Sequence, residues 1–298
     1  MSLVECVPNF SEGRRPEVVE AILAAIRSVA GVKLIDQSLD ASHNRAVVTF
    51  VGPPAPVAEA AFRAIAKAKE SIDLRTHAGE HPRMGATDVV PFVPLEGSTM
   101  KECVATAHAL GERVGRELGI PVYFYESAAL RPERRNLPDV RKGQFEGLRD
   151  LIGKDPAREP DAGPKDAIHP SAGATIIGAR NFLIAFNVNL ETEDVQIAKD
   201  IARKIREKDG GLPGIKAMGF FLDDLRCAQV SMNVCDYERT GLLRVFREIE
   251  GLARERGVAI RESELVGLAP RASLPPGVGE AVRLRGFDPS KQIVEALL

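Results

Sequence analysis

An α/β fold made of two ferredoxin-like βαββαβ subdomains is what the sequence predicts, and three observations point to it. The order strand, helix, strand, strand, helix, strand can be read twice along the chain. Between the two readings, Lys154–Gly173 is rich in Pro, Gly, Asp and Ala and has no clear periodicity. A length of 298 residues suits one large domain or two ordinary ones. The expected division is therefore 1–173 and 174–298.

In order, Leu3–Val7 reads as a short buried strand and Asn9-Phe-Ser-Glu-Gly13 as a turn. Pro16 suits the first position of a helix to about Val29, with apolar residues at Val18, Val19, Ile22, Ala25, Ile26 and Val29 on the helical period. Gly31 ends it. Val32–Asp36 and Ala46–Val51 are strands joined by a polar loop over 37–45, and Pro53-Pro54 precedes a helix from Pro56 to about Glu70. The strand Val89–Val93 follows. Thr99 and Glu102 have capping-box spacing and start a helix to about Leu118, stopped by Gly119. Pro121–Tyr125 is a strand, Arg131–Arg141 is basic and broken by prolines, and a short helix covers Gly143–Ile152. After the boundary, Leu183–Val188 is a strand, Glu193–Glu207 a helix, Ile215–Leu222 and Ala228–Val234 strands, Thr240–Arg256 a helix, and a last strand begins at Val258.

Among these elements one loop, His77-Ala-Gly-Glu-His-Pro-Arg-Met-Gly-Ala-Thr-Asp88, is densest in groups that do chemistry. It lies between a helix and a strand, where functional residues concentrate. His77 and His81 are four apart, the spacing of two ligands on one helix face, but Gly79 and Pro82 oppose that helix and a metal would lack further ligands. As an acid–base group His81 has the unperturbed pKa of a histidine, about 6.5, Glu80 stands next to it, and Arg83 offers a planar fork for a substrate carboxylate. The alternative is a turn cap at His81 with Arg83 paired to Glu80. His43-Asn44-Arg45 either contacts ligand or forms a solvated turn. Gly163–Gly173, which carries His169, is either a linker or a loop that closes over ligand, and His108 inside its helix reads as structural.

Composition excludes several classes. Forty basic against forty-two acidic residues leave a net charge of -2, with no reason for a nucleic-acid partner. No apolar run reaches membrane length, and the first residues have no signal-peptide pattern. Cys6, Cys103, Cys227 and Cys235 show neither zinc spacing nor a disulfide framework, so buried thiols in a reducing cytoplasm are expected. No Gly-rich nucleotide-binding pattern occurs.

The stretches Glu5-Cys-Val-Pro-Asn-Phe-Ser-Glu-Gly13, Thr49-Phe-Val-Gly-Pro-Pro54, Gly79-Glu-His-Pro-Arg-Met-Gly85, Gly178-Ala-Arg-Asn-Phe-Leu-Ile-Ala-Phe-Asn187 and Leu265-Val-Gly-Leu-Ala-Pro270, in that order, resemble the glutamate formiminotransferase family, the transferase half of formiminotransferase–cyclodeaminase. The resemblance implies mixed sheets with helices on their outer faces, a ligand tunnel between the subdomains, and a homodimer. It implies transfer of a formimino group from N-formimino-L-glutamate to N5 of tetrahydrofolate, a co-substrate with or without a polyglutamate tail, with no metal and with a separate cyclodeaminase acting on the product. The family's catalytic histidine falls on His81. Its folate loop falls on Gly163–Gly173, with Gly163, Pro164, His169, Pro170, Ser171 and Gly173 as contacts and Ala172 where an aromatic is usual. An aspartate expected near Ser38 falls on Asp36 or Asp40, and Asn44, Arg45, Glu80, Arg83 and Arg180 complete the expected binding set. The nearest rival is formyl transfer from N-formylglutamate or 5-formyltetrahydrofolate by the same site. A non-catalytic folate-binding module and a metal-dependent hydrolase stand further off.

Overall fold

The structure, a computed structural model, describes residues 2–298. The chain forms two units, the first ending at Arg180 and the second running from Asn181 to Leu298.

In the first unit Pro8, which has no N–H for a ladder, splits the opening strand into β1 (Val4–Cys6) and β2 (Asn9–Phe10). Asn9 and Phe10 thus extend the sheet instead of forming the expected turn. Helix α1 (Pro16–Arg27) begins on its proline and buries Val19, Ile22, Leu23 and Ile26 at helical spacing. Strands β3 (Lys33–Asp40) and β4 (Arg45–Gly52) are a hairpin with Asp40 opposite Arg45. The long loop expected over 37–45 is therefore only a turn over 41–44. Polar side chains close it: Asn44 adopts φ 49°, which asparagine tolerates, and Asp40 Oδ1 accepts the His43 N–H at 2.9 Å. A run of polar residues closing a tight turn looks like a loop by composition alone.

Next come α2 (Pro54–Ser71), β5 (Thr87–Pro94), α3 (Met100–Leu118) and β6 (Val122–Glu126). The capping box at α3 forms as read: the Glu102 N–H donates to Thr99 Oγ1 and the Thr99 N–H to Glu102 Oε2. Gly119 ends the helix at φ 65°. β1 and β2 share one track between β4 and β5, antiparallel to both. The order β3, β4, β1/β2, β5 is the ferredoxin-like one. Phe10, Phe50 and Phe92 from these strands are buried with Ile22, Ile26 and Ile65 of the helices, each worth about 1.5–3 kcal/mol.

The unit then grows beyond that motif. Short helices α4 (Leu137–Val140) and α5 (Gln144–Leu151) follow β6, and β7 (Thr175–Ala179) inserts between β5 and β6, parallel to both. The expected division at 173/174 stands ahead of β7, yet all of β7 is buried in the first sheet. Short, Gly-containing and without alternation, it offers no period from which a strand can be read.

The second unit repeats the motif: β8 (Ile184–Leu190), α6 (Val195–Ile205), β9 (Ile215–Leu222), β10 (Cys227–Val234), α7 (Leu242–Arg254) and β11 (Ile260–Val266). Its antiparallel sheet runs β11, β8, β10, β9, again the ferredoxin-like order. Asp194 caps α6 by accepting the Gln196 N–H at 2.9 Å. Ile201, Ile205, Phe246 and Ile249 of the helices bury Phe186, Val188 and Val230 of the strands. All four cysteines are free thiols; Cys6, Cys103 and Cys227 are buried and Cys235 is partly so. Among the described residues no helix is long and apolar enough to cross a membrane.

Candidate active site

Three chain segments meet around His81: the turn after β2, the β3–β4 turn, and the loop before β5. Asn44 ties them together. Its Oδ1 accepts the Gly13 N–H at 3.0 Å, its Nδ2 donates to Ala78 O at 3.0 Å, and its carbonyl lies 3.1 Å from His77 Nε2. The glycine of the loop motif makes the approach possible, because a Cβ on Gly79 would lie 2.3 Å from the His43 carbonyl oxygen. Gly79→Ala must therefore push the loop off the turn. The expected result is a kcat/KM lower by about 10²-fold, as for a displacement of roughly an ångström in a reacting group, with a helix-rich fold retained by circular dichroism. Unchanged kinetics would show that this close contact does not position His81.

The surroundings of His81 are rich in cations. His43, Asn44, Arg45, His77, Arg83 and Asp88 line a small pocket with it, together with Phe10 and Ser11. Burial first, then the positive charges of Arg45 and Arg141, hold the His81 pKa down to about 3. The ring is thus neutral at physiological pH. Arg45 is largely buried, has no ion pair among the described residues, and its Nε lacks a hydrogen-bond acceptor. Burial, then the nearby Arg141, lower its own pKa to about 10. Arg141 does have an anion: its guanidinium meets Asp88 Oδ2 at 2.5 Å, while Asp88 Oδ1 accepts the Met84 N–H at 2.8 Å.

His77 is committed at both ring nitrogens. Arg83 Nε donates to Nδ1 at 3.2 Å, which makes Nδ1 an acceptor and leaves Nε2–H to donate to Asn44 O. Neither nitrogen remains for a metal. Arg83 itself is held in a two-pronged ion pair with Glu146 (2.7 and 2.9 Å) and reaches Gln144 Oε1 at 3.3 Å. The partner is on α5; the expected alternative partner, Glu80, is exposed, with its backbone N–H on Ser42 O at 3.4 Å. Arg83 thus meets a carboxylate of the chain where the sequence suggested one from substrate.

Of the other expected contacts, Asp40, Asn44 and Arg45 gather at the β3–β4 turn beside His81. The 163–173 segment is joined to the loop before β5 by backbone hydrogen bonds. His169 and Gly173 close a turn over Pro170 and Ser171 by reciprocal hydrogen bonds of 3.0 and 2.9 Å, and the Ala172 N–H donates to His169 Nδ1 at 3.1 Å. The turn is fastened beside the loop: Leu74 N–H donates to Ser171 O, Ala86 N–H to Ala172 O, and Ala174 N–H to Met84 O. Gly163, at φ 81°, and Pro164 root this segment; Gly163 packs against Gly115 of α3. None of the six expected residues of this segment lines the His81 pocket. Neither does Arg180, which leaves β7 with its N–H on Phe92 O and its side chain near Tyr125. Sequence reasoning missed Arg141, Glu146 and Ser11, whose hydroxyl donates to Gly85 O at 2.8 Å. The only prior signal for Arg141 was its place in a basic, proline-broken stretch.

Residues 3–180 match a family model described as the formiminotransferase domain, N-terminal subdomain, and residues 185–276 match one described as the formiminotransferase domain. A glutamate formimidoyltransferase of Streptococcus pyogenes serotype M1 is 49% identical over 98% of this chain and 97% of its own. One of Thermoplasma acidophilum is also 49% identical, over 97% of this chain and 95% of its own. The formimidoyltransferase-cyclodeaminase of Sus scrofa is 47% identical over 91% of this chain, which spans 51% of that longer protein.

Proposed function

The chain belongs to the formiminotransferase family, and on that premise we propose that it moves the formimino group of N-formimino-L-glutamate to N5 of tetrahydrofolate, with His81 carrying the proton. The observation that carries this reading is a neutral imidazole set among cations that lack enough anions of their own.

Attack by the N5 lone pair on the formimino carbon gives a tetrahedral adduct, and N5 must then lose its proton. Breakage of the bond to the glutamate nitrogen requires that nitrogen to gain one. His81 is neutral when the adduct forms, so its ring accepts the N5 proton. The imidazolium is disfavoured by burial and then by Arg45 and Arg141, so it gives the proton up readily to the departing amine. The histidine ends as it began. Holding pterin and donor together removes much of the entropic cost of a bimolecular transfer.

Arg45 is the residue best suited to a donor carboxylate, since Arg83 is already engaged by Glu146 and Arg141 by Asp88. Arg45→Met is expected to raise the KM for N-formiminoglutamate roughly 10- to 100-fold, the worth of a charge-assisted hydrogen bond, and to leave the KM for tetrahydrofolate nearly unchanged. Equal effects on both would reassign the carboxylate to another group. The reading as a whole is tested by a spectroscopic assay of the purified protein with tetrahydrofolate and N-formimino-L-glutamate. Transfer is expected; its absence, with tetrahydrofolate still bound, would leave a folate-binding protein without this activity.

A further inference from the structure

The β3–β4 turn brings a second imidazole to the pocket, and the proton shuttle does not use it. The His43 backbone N–H donates to Asp40 Oδ1 at 2.9 Å, and its ring Nδ1 lies 2.7 Å from Asp40 Oδ2. A carboxylate can only accept, so the proton of the neutral ring sits on Nδ1 and Nε2 carries a bare lone pair. The rings of His43 and His81 stand edge to face, with centroids 6.3 Å apart and planes at 66°. Both line the same pocket, and His43 and Asp40 are about half exposed, open to an incoming ligand.

We propose that His43, its tautomer fixed by Asp40, selects a formimino over a formyl donor by accepting a hydrogen bond from the N–H of the transferred group. The inference rests on the transferase reading above and deepens it. Formimino and formyl differ only in NH against O at the group next to the reacting carbon. The formimino group is an amidine, protonated in water, with N–H donors and a positive charge. The formyl oxygen has only lone pairs. Nε2 pairs with the first and opposes the second, and Asp40 places a negative charge behind the ring that favours the cationic donor. His77 cannot take this role, since its ring nitrogens are spent on Asn44 and Arg83. A site built around one hydrogen-bonding polarity rejects an analogue that lacks it far more strongly than an apolar pocket rejects a change of size.

The test is the ratio of kcat/KM for N-formimino-L-glutamate to that for N-formyl-L-glutamate, with tetrahydrofolate as acceptor, in the unaltered protein, Asp40→Asn and His43→Gln. The unaltered protein is expected to favour the formimino donor strongly. Asp40→Asn frees the ring to offer an N–H, and His43→Gln supplies an amide that can donate or accept. Each is expected to narrow the ratio roughly 10- to 100-fold, mostly by loss on the formimino donor. Equal losses on both donors, or no initial preference, would overturn the selector role while leaving the transferase reading intact. Transfer from neither donor by the unaltered protein would overturn both. Because both side chains are half exposed, thermal midpoints near that of the unaltered protein are expected; should His43→Gln fail to fold, Asp40→Asn alone decides.

Discussion

His81→Ala is expected to lower kcat about 10²- to 10⁴-fold, the usual worth of a positioned acid–base group, while tetrahydrofolate still binds. The size follows from the lack of a substitute within the pocket. His77 is fixed by Asn44 and Arg83 at its two nitrogens. The His43 proton is held by Asp40. Asp88 is occupied by Arg141 and by the Met84 N–H. Neither His77 nor Asp88 can take and return a proton without giving up a hydrogen bond, and the bare Nε2 of His43 is the acceptor assigned above to the N–H of the transferred group. Steady-state rates together with equilibrium folate binding check this, and near-normal turnover would remove His81 from the mechanism.

The same substitution has a signature in stability. The unfolded chain binds a proton at His81 as pH falls through about 6.5, whereas the folded chain does not until about 3. Within that window the unfolded state carries more protons, so folding weakens as pH drops; above it His81 has no effect. His77 and His169, whose pKa values burial also lowers, act in the same direction. The thermal midpoint should therefore fall less between about pH 7 and pH 5 in His81→Ala than in the unaltered protein. Identical slopes by calorimetry would mean that neither burial nor the cationic surroundings act on this ring.

The doubled motif was legible because its helices announce their ends: Pro16 opens α1, Thr99 and Glu102 box the start of α3, and Gly119 closes it. β7 was not, since its neighbours β5 and β6 are distant in sequence and their parallel pairing leaves no local period. At the site, the loop motif and His43-Asn44-Arg45 could be singled out because each is a dense local run of polar groups. Their joining through Asn44 and Gly79 could not, because it depends on backbone oxygens of residues far apart along the chain. Arg83 shows the limit most clearly. Its neighbour Glu80 suggested one ion pair and its chemistry suggested substrate, yet Glu146, on a helix placed by tertiary packing, is the carboxylate it meets. For Gly163–Gly173, which the sequence marks as a folate contact, the structure adds backbone bonds to Met84 and Ala86 that fasten it to the loop carrying His81, a link between residues too far apart in the chain to be read from it.

Arg134→Met is expected to destabilise the protein by about 3–5 kcal/mol, because it would strand a buried carboxylate. The side chains of Arg134 and Asp161 are 4% and 3% exposed, and Nη1 lies 2.6 Å from Oδ1. That contact is poorly aligned as a hydrogen bond, so charge supplies most of it. The better-directed bonds lie elsewhere: Arg134 Nη2 donates to Glu159 O at 2.5 Å, and Asp161 Oδ2 accepts the Phe124 N–H at 2.8 Å. The guanidinium also sits 4.9 Å from the centre of the Tyr123 ring. The pair thereby fastens residues 157–162 along the outer edge of β6, where Val122 and Ala162 exchange backbone hydrogen bonds. A second substitution separates charge from packing. Asp161→Asn keeps an oxygen for the Phe124 N–H but removes the charge, so Arg134→Met with Asp161→Asn should recover most of the loss, whereas Asp161→Asn alone leaves the arginine buried and unpaired. Urea unfolding of the three variants measures the coupling, and simple additivity of the two single changes would show that the buried charges do not hold this edge. The segment they fasten leads directly into Gly163 and the turn tied to Met84, so the single variant should also lose transfer activity at temperatures where its unfolded fraction is still small. Loss of activity only in step with global unfolding would confine the ion pair to a structural role.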